Sequence, residues 1–263
     1  MSDNPVQPDG PSAFPIQTPA GSVPAPHALP MPPKPDERTL RAVLLDIDGT
    51  LVDSNDAHAR AWAEAFAEAG KPVDLPAIHQ LIGMGSDQML PAYCGVDSES
   101  DEGKQLSKRW EAFFRERYLP HLQAFPQVRP LLETLDARGL ILIVATSAKK
   151  EMAQNLLQLA QIEDLIDHVV SSEDAANSKP DPDIVHASLD VLDGAHPDEV
   201  VLLGDTPYDI ASAAKAGVRT IAVRCGGWNN TDLANALAIY QDPADLFTHL
   251  DVSPLGHAQP IGA

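Results

Sequence analysis

Basic residues are scarce in this chain. Its 263 residues hold 18 Lys and Arg against 38 Asp and Glu, a formal net charge of −20. That balance lacks the positive footprint with which proteins hold nucleic acid or anionic lipid, so neither is expected as a partner. Cysteine is scarcer still. Cys94 and Cys225 lie far apart and outside any CxxC pattern, which argues against a disulfide framework or a thiolate zinc site and for a soluble protein of a reducing cytoplasm. No run of about 18 apolar residues offers a membrane span. The N-terminus has no basic segment leading into an apolar run, so no secretory signal is expected. GxSxG, HExxH and a GxxxxGK loop are all missing. Gly83 and Gly85 make no dinucleotide fingerprint, because Gln88 fills the third glycine place and no strand precedes them.

Proline is plentiful but unevenly spread: 11 of the 24 fall within the first 35 residues. With few apolar clusters to bury, residues 1–38 cannot offset the entropy of ordering and are expected to form a disordered tail. The remainder suffices for one α/β domain with an insertion. Five short apolar runs read as buried strands: Ala42 to Leu45, Leu140 to Ala145, His168 to Val170, Glu199 to Leu203 and Arg219 to Val223. Amphipathic stretches alternate with them, from Val128 to Ala137, Lys149 to Leu159, Pro182 to Leu192 and Pro207 to Ala216. This alternation predicts a doubly wound parallel α/β sheet covered on both faces. The connection after the first strand is too long for a simple crossover. Within it Asp56 to Ala69, Leu75 to Ile82, Ser86 to Tyr93 and about Asp101 to Tyr118 read as helices, with no strand signal between them. The expected organisation is a core over 39–54 and 126–250, an all-helical insertion over 55–125 and a flexible end over 251–263.

Ligands of an open parallel sheet bind beyond the carboxyl ends of its strands. There the sequence puts Asp46 and Asp48, then Thr146 and Ser147, then Ser171 to Asp174, then Asp205 and Asp209. A lone Asp in such a place is ordinarily a turn former or helix cap. Asp46 and Asp48 followed by Gly49-Thr50, with a second acidic pair from another strand, go beyond that. Like charges gathered at one edge repel. A hard divalent cation relieves them, and carboxylates with waters and a substrate phosphate suit Mg²⁺. Lys179, before Pro180-Asp181-Pro182, would ordinarily be solvated. Beside an acidic cluster it becomes a clamp for a phosphate and for the Asp46 carboxylate.

Asp46-Ile47-Asp48-Gly49-Thr50-Leu51-Val52-Asp53-Ser54 resembles the first motif of the haloacid dehalogenase-like hydrolase superfamily. Thr146 resembles its second motif, Lys179-Pro180-Asp181-Pro182 its third and Gly204-Asp205-Thr206-Pro207-Tyr208-Asp209 its fourth, so the likeness spans about residues 40 to 250. The helical insertion is similar to the cap of the phosphoglycolate phosphatase and β-phosphoglucomutase-like branch, as is the stretch from Asp53 to Trp62. The resemblance implies a Rossmann-like core with a cap domain over its active site. It implies Asp46 as the nucleophile that forms an aspartyl-phosphate, and Asp48 as general acid and then base. It implies Thr146, Ser147, Lys179 and His58 as substrate-binding residues. It implies Mg²⁺ held by Asp46, the Asp48 main-chain carbonyl, Asp205 and Asp209.

An acid at Asp48 separates the chain from the dehalogenases that attack carbon. Ile82 and Ser86 stand where the mutases of the branch carry basic residues, which favours a hydrolase of a small phosphorylated metabolite over a β-phosphoglucomutase-like phosphotransferase. A non-enzymatic phosphoacceptor and a catalytically idle binding protein are weaker alternatives, since Asp46, Asp48, Lys179 and Asp205 are all present. In the cap, the Gly83 to Asp87 loop and Arg109, Arg115 and Arg117 are candidate substrate contacts, the arginines being more ordinarily part of a solvated helix face. Which phosphorylated substrate is used and what oligomer forms are left open.

Overall fold

In the computed structural model, which describes residues 39–256, the five apolar runs lie side by side in one sheet, with a sixth strand at one edge. The strands are β1 (Ala42–Leu45), β2 (Ile141–Ala145), β3 (His168–Val170), β4 (Val200–Gly204), β5 (Arg219–Val223) and β6 (Ala238–Tyr240). Their order is β3-β2-β1-β4-β5-β6, and every pairing is parallel. The connection from β1 to β2 carries α1 (Asn55–Glu68), α2 (Leu75–His79), α3 (Ser86–Cys94) and α4 (Asp101–Phe113), followed by a π turn at Phe114–Tyr118. No strand occurs there among the described residues. The same connection ends in α5 (Val128–Ala137), the later crossovers carry α6 (Lys150–Leu159), α7 (Asp183–Asp190) and α8 (Pro207–Lys215), and α9 (Pro243–Thr248) follows β6.

The sheet is buried because its side chains alternate between two covered faces. Val43, Leu45, Leu142 and Val144 meet Leu131, Leu132 and Leu135 of α5 and Leu156 of α6. Ala42, Leu44, Ile143 and Leu202 face the other way, onto Ile184 and Val185 of α7 and Ala213 of α8. The insertion builds a core of its own from Trp62, Phe66, Ile78, Met89, Leu90 and Leu106. Alanines on α1 let α4 come close, and Trp62 stacks on Trp110 with ring centroids 5.0 Å apart.

The chain passes between sheet and insertion twice, and the two passages are tied together. Asp53 N–H donates to Gln123 O at 3.0 Å, Phe125 N–H donates to Leu51 O at 3.0 Å, and Val52 bridges antiparallel to Ala124. The insertion rests over the carboxyl edge of the sheet. Ser147 Oγ donates to Gly83 O at 3.2 Å, Ser178 N–H to Asp87 Oδ2 at 3.0 Å and Tyr208 O–H to Gln80 O at 2.6 Å.

Some expectations need correction. The helix from Leu75 stops at His79 rather than Ile82, and the run toward Tyr118 leaves α geometry at Phe114. In residues 251–256, Ser253 and Leu255 are buried while Val252 is exposed, and Arg138 pairs with Asp251. The proline-rich stretch 1–38 and residues 257–263 lie outside the described residues. Among those described, no helix is long and apolar enough to cross a membrane.

Candidate active site

Register brings the acidic residues together. Leu45 of β1 aligns with Leu203 of β4, so Asp46 and Asp205 leave adjacent strands at the same edge. Both are buried. Asp209 joins them from the first turn of α8, where Thr206 caps the helix: Thr206 N–H and Oγ1–H both donate to Asp209 Oδ2, at 3.0 and 2.7 Å, and Asp209 N–H returns a bond to Thr206 Oγ1. One carboxylate oxygen from each of Asp46, Asp205 and Asp209 lies within 4.8 Å of the others.

Lys179 is fully buried among them, its Nζ 2.7 Å from Asp46 Oδ1 and 2.7 Å from Asp209 Oδ1. Burial works against its ammonium, but the Asp209 and Asp46 charges more than offset this and raise its pKa. A single cation does not neutralise three carboxylates. Burial pushes the Asp46 carboxyl up to about 7, the Asp209 and Asp48 charges adding to it while Lys179 opposes. Burial, then the Asp46 and Asp209 charges, also hold Asp205 well above the usual range.

Asp48 sits apart from this crowd. Burial opposes its ionisation, yet His58, the Ser54 hydroxyl and Lys179 together hold it below the ordinary carboxylate range. His58 Nε2 lies 2.8 Å from Asp48 Oδ1, and its ring stacks on Phe114 at 3.9 Å between centroids. Thr146 is buried at the end of β2, its Oγ1 accepting from Ala148 N–H at 3.1 Å. Asp46, Asp48, His58, Thr146 and Ser147 line one cavity of about 130 Å³, closed on the insertion side by Trp62, Ile82, Met84 and Trp110. The three cap arginines do not line it. Arg109 pairs with Glu68, Arg117 with Glu64 and Arg115 with Glu111, as a solvated helix face would have it.

A divalent cation fits this donor set. The three clustered carboxylates offer hard oxygen ligands, and the raised pKa values of Asp46 and Asp205 mark negative charge that protein groups leave uncompensated. The backbone also makes room there: a Cβ on Gly226 would lie 1.6 Å from Asp205 Oδ2.

Sequence reasoning gave no role to three residues of this site. Thr50 Oγ1 donates to Asp205 Oδ1 at 2.9 Å, Asn55 Nδ2 donates to Asp205 Oδ2 at 2.9 Å, and Gly226 O accepts from the same amide at 3.1 Å. Thr50 lies within the first motif and Asn55 directly follows it, so their position was a signal. The loop holding Gly226 carried none.

Residues 43–223 match the family described as haloacid dehalogenase-like hydrolase. The chain is similar to a phosphoglycolate phosphatase of Rhodospirillum rubrum, 33% identical over 216 residues that cover 78% of this chain and 89% of that one. It is also similar to an N-acetylmuramic acid 6-phosphate phosphatase of Pseudomonas aeruginosa, 31% identical over 192 residues, 71% of this chain and 83% of that one. Among solved structures, a hydrolase from Pseudomonas syringae superposes with a TM-score of 0.74 at 32% identity, covering 81% of this chain and 98% of that one.

Proposed function

The chain belongs to the haloacid dehalogenase-like hydrolase family, and from that premise we propose that it is a Mg²⁺-dependent phosphatase. Its substrate on this reading is a small phosphorylated metabolite, a phosphoglycolate-like or sugar phosphate monoester, cleaved through an aspartyl-phosphate on Asp46. The observation that carries the proposal is the buried Asp46 carboxylate, held by Lys179 Nζ at 2.7 Å beside Asp205 and Asp209 at the end of a parallel strand.

Asp46, Asp205 and the Asp48 main-chain carbonyl would hold the cation. Asp209 would support it while orienting Lys179, since both its oxygens already accept hydrogen bonds. When bound, Mg²⁺ would favour the ionised form of the carboxylates and draw off charge from the phosphoryl oxygens. Asp46, ionised, attacks phosphorus and displaces the substrate alkoxide. Lys179 and the Thr146 hydroxyl face the negative charge that gathers on the phosphoryl oxygens in the transition state. Asp48 lies within hydrogen-bond reach of His58, with which it shares the proton that it gives to the leaving oxygen and later takes from water.

The cavity supports hydrolysis rather than mutase chemistry. The one Lys or Arg that lines it among the described residues is Lys149, and Glu111 engages its Nζ at 3.0 Å. A second, distal phosphate would meet Ile82, Ser86 and Asp87 instead of a free cation. We place the enzyme in the cytoplasm, in keeping with its two free cysteines. Release of inorganic phosphate from p-nitrophenyl phosphate with Mg²⁺ tests the reading. Asp46→Asn should cut turnover by about a thousandfold or more, and EDTA should abolish it. Activity that survives Asp46→Asn would rule out the covalent route.

A further inference from the structure

Asn55 is the first residue of α1 and is 4% exposed. A polar residue opening a helix ordinarily serves that helix. Here the start of α1 serves the site instead. The N-cap Ser54 makes no side-chain cap bond, and its hydroxyl donates to Asp48. One turn on, His58 reaches the same carboxylate. Asn55 points to the other side of the cluster. Its amide gives one hydrogen to Asp205 Oδ2 at 2.9 Å and the other to Gly226 O at 3.1 Å. Two acceptors fix which way the amide faces, because the flipped amide would set its oxygen against both.

The amide is also wedged in place. A Cβ on Gly49 would lie 2.2 Å from Asn55 Nδ2, so backbone passes close beside the amide, and one on Gly226 would lie 1.6 Å from Asp205 Oδ2, so backbone passes close beside the carboxylate that the amide holds. With Thr50 on the other oxygen, Asp205 is held by two neutral donors, one on each carboxylate oxygen, which together favour this orientation of the carboxylate. The insertion that covers the cavity begins at this same residue.

We propose that Asn55 is a positioning residue that sets the rotamer of Asp205 for the divalent cation and ties that ligand to the first turn of the helical insertion. The inference rests on the metal reading given above. Partners of this kind typically change metal affinity by about 10- to 100-fold when removed. Asn55 does not touch the phosphoryl group on this account, so its loss acts through the cation and leaves the substrate KM unchanged once Mg²⁺ saturates.

The test is Mg²⁺ binding by isothermal titration calorimetry, without substrate, to the full chain and to Asn55→Ala and Asn55→Leu. Leucine fills the space of the amide without a donor, so one variant remains if alanine unfolds, and circular dichroism checks both. The expected result is a Kd for Mg²⁺ about tenfold or more weaker in each variant, with KM for p-nitrophenyl phosphate within twofold of wild type at saturating Mg²⁺. A variant that melts earlier yet binds Mg²⁺ within twofold of wild type would show Asn55 to be structural only and overturn the proposal. Failure of the unaltered protein to bind Mg²⁺ would overturn the metal reading along with this one. Equal affinities would overturn this one alone.

Discussion

Lys179 has exchanged water for two carboxylates. Its Nζ lies 2.7 Å from both Asp46 and Asp209, and its side chain is fully buried. Removing one partner of such a cluster leaves bare charge in a dry place, which typically costs about 3–5 kcal/mol. Lys179→Met should therefore lose about that much stability in urea with chelator present, and its phosphatase turnover should fall by about a hundredfold or more, since on the proposed mechanism the cation also faces the phosphoryl oxygens. A variant as stable as wild type would show that the three carboxylates are compensated by something other than Lys179.

At the scale of the element, α8 shows how a helix start can double as part of a site. Thr206 caps it and in the same act fixes Asp209, which in turn fixes Lys179. Thr206→Ala should cost about 1 kcal/mol through the lost cap and lower turnover as well, while Thr206→Ser keeps the hydroxyl and should recover most of both. Urea melts and steady-state rates on the pair check this, and a stability loss with unchanged turnover would separate cap from site. Elements of this kind were legible in the sequence where physics leaves a pattern. β1 and β4 are apolar throughout because both faces are covered, and Asp46, Asp48, Thr146 and Asp205 sit directly behind such runs. β6 was not legible: its three residues are only half-buried at the sheet edge, so nothing forces an apolar pattern on them. α9 was missed although Asp242-Pro243 is a fair start signal, since Asp242 accepts from Asp245 N–H. Gly226 escaped because its contact with Asn55 spans 171 positions of chain, which no local pattern encodes, and the place of Asn55 beside the first motif did not reveal a partner 150 positions away.

For the whole molecule, the charge of −20 meets its sharpest local expression at the buried cluster. Asp46 keeps its proton up to about 7 in the fold, chiefly through burial, but ionises near 3.8 when unfolded. Between those values the fold holds a proton that the unfolded chain releases, so this group costs the metal-free protein stability as pH rises from about 3.8 to about 7. Mg²⁺ should consequently raise the melting temperature more at pH 8 than at pH 5, where protons compete for the same oxygens. The increment should vanish in Asp205→Asn. Thermal melts at both pH values decide it, and an equal increment at each would count against a site built on these carboxylates. The paired passages at Asp53–Gln123 and Leu51–Phe125 have a different kind of consequence. Because the segment between them leaves and re-enters the sheet side by side, it should be exchangeable as a cassette. A relative's helices could be spliced in at those two points without stretching the sheet, provided Ser54, Asn55 and His58 stay behind with the carboxylates they hold. Substrate preference would then travel with the graft while the hydrolytic centre stayed with its host.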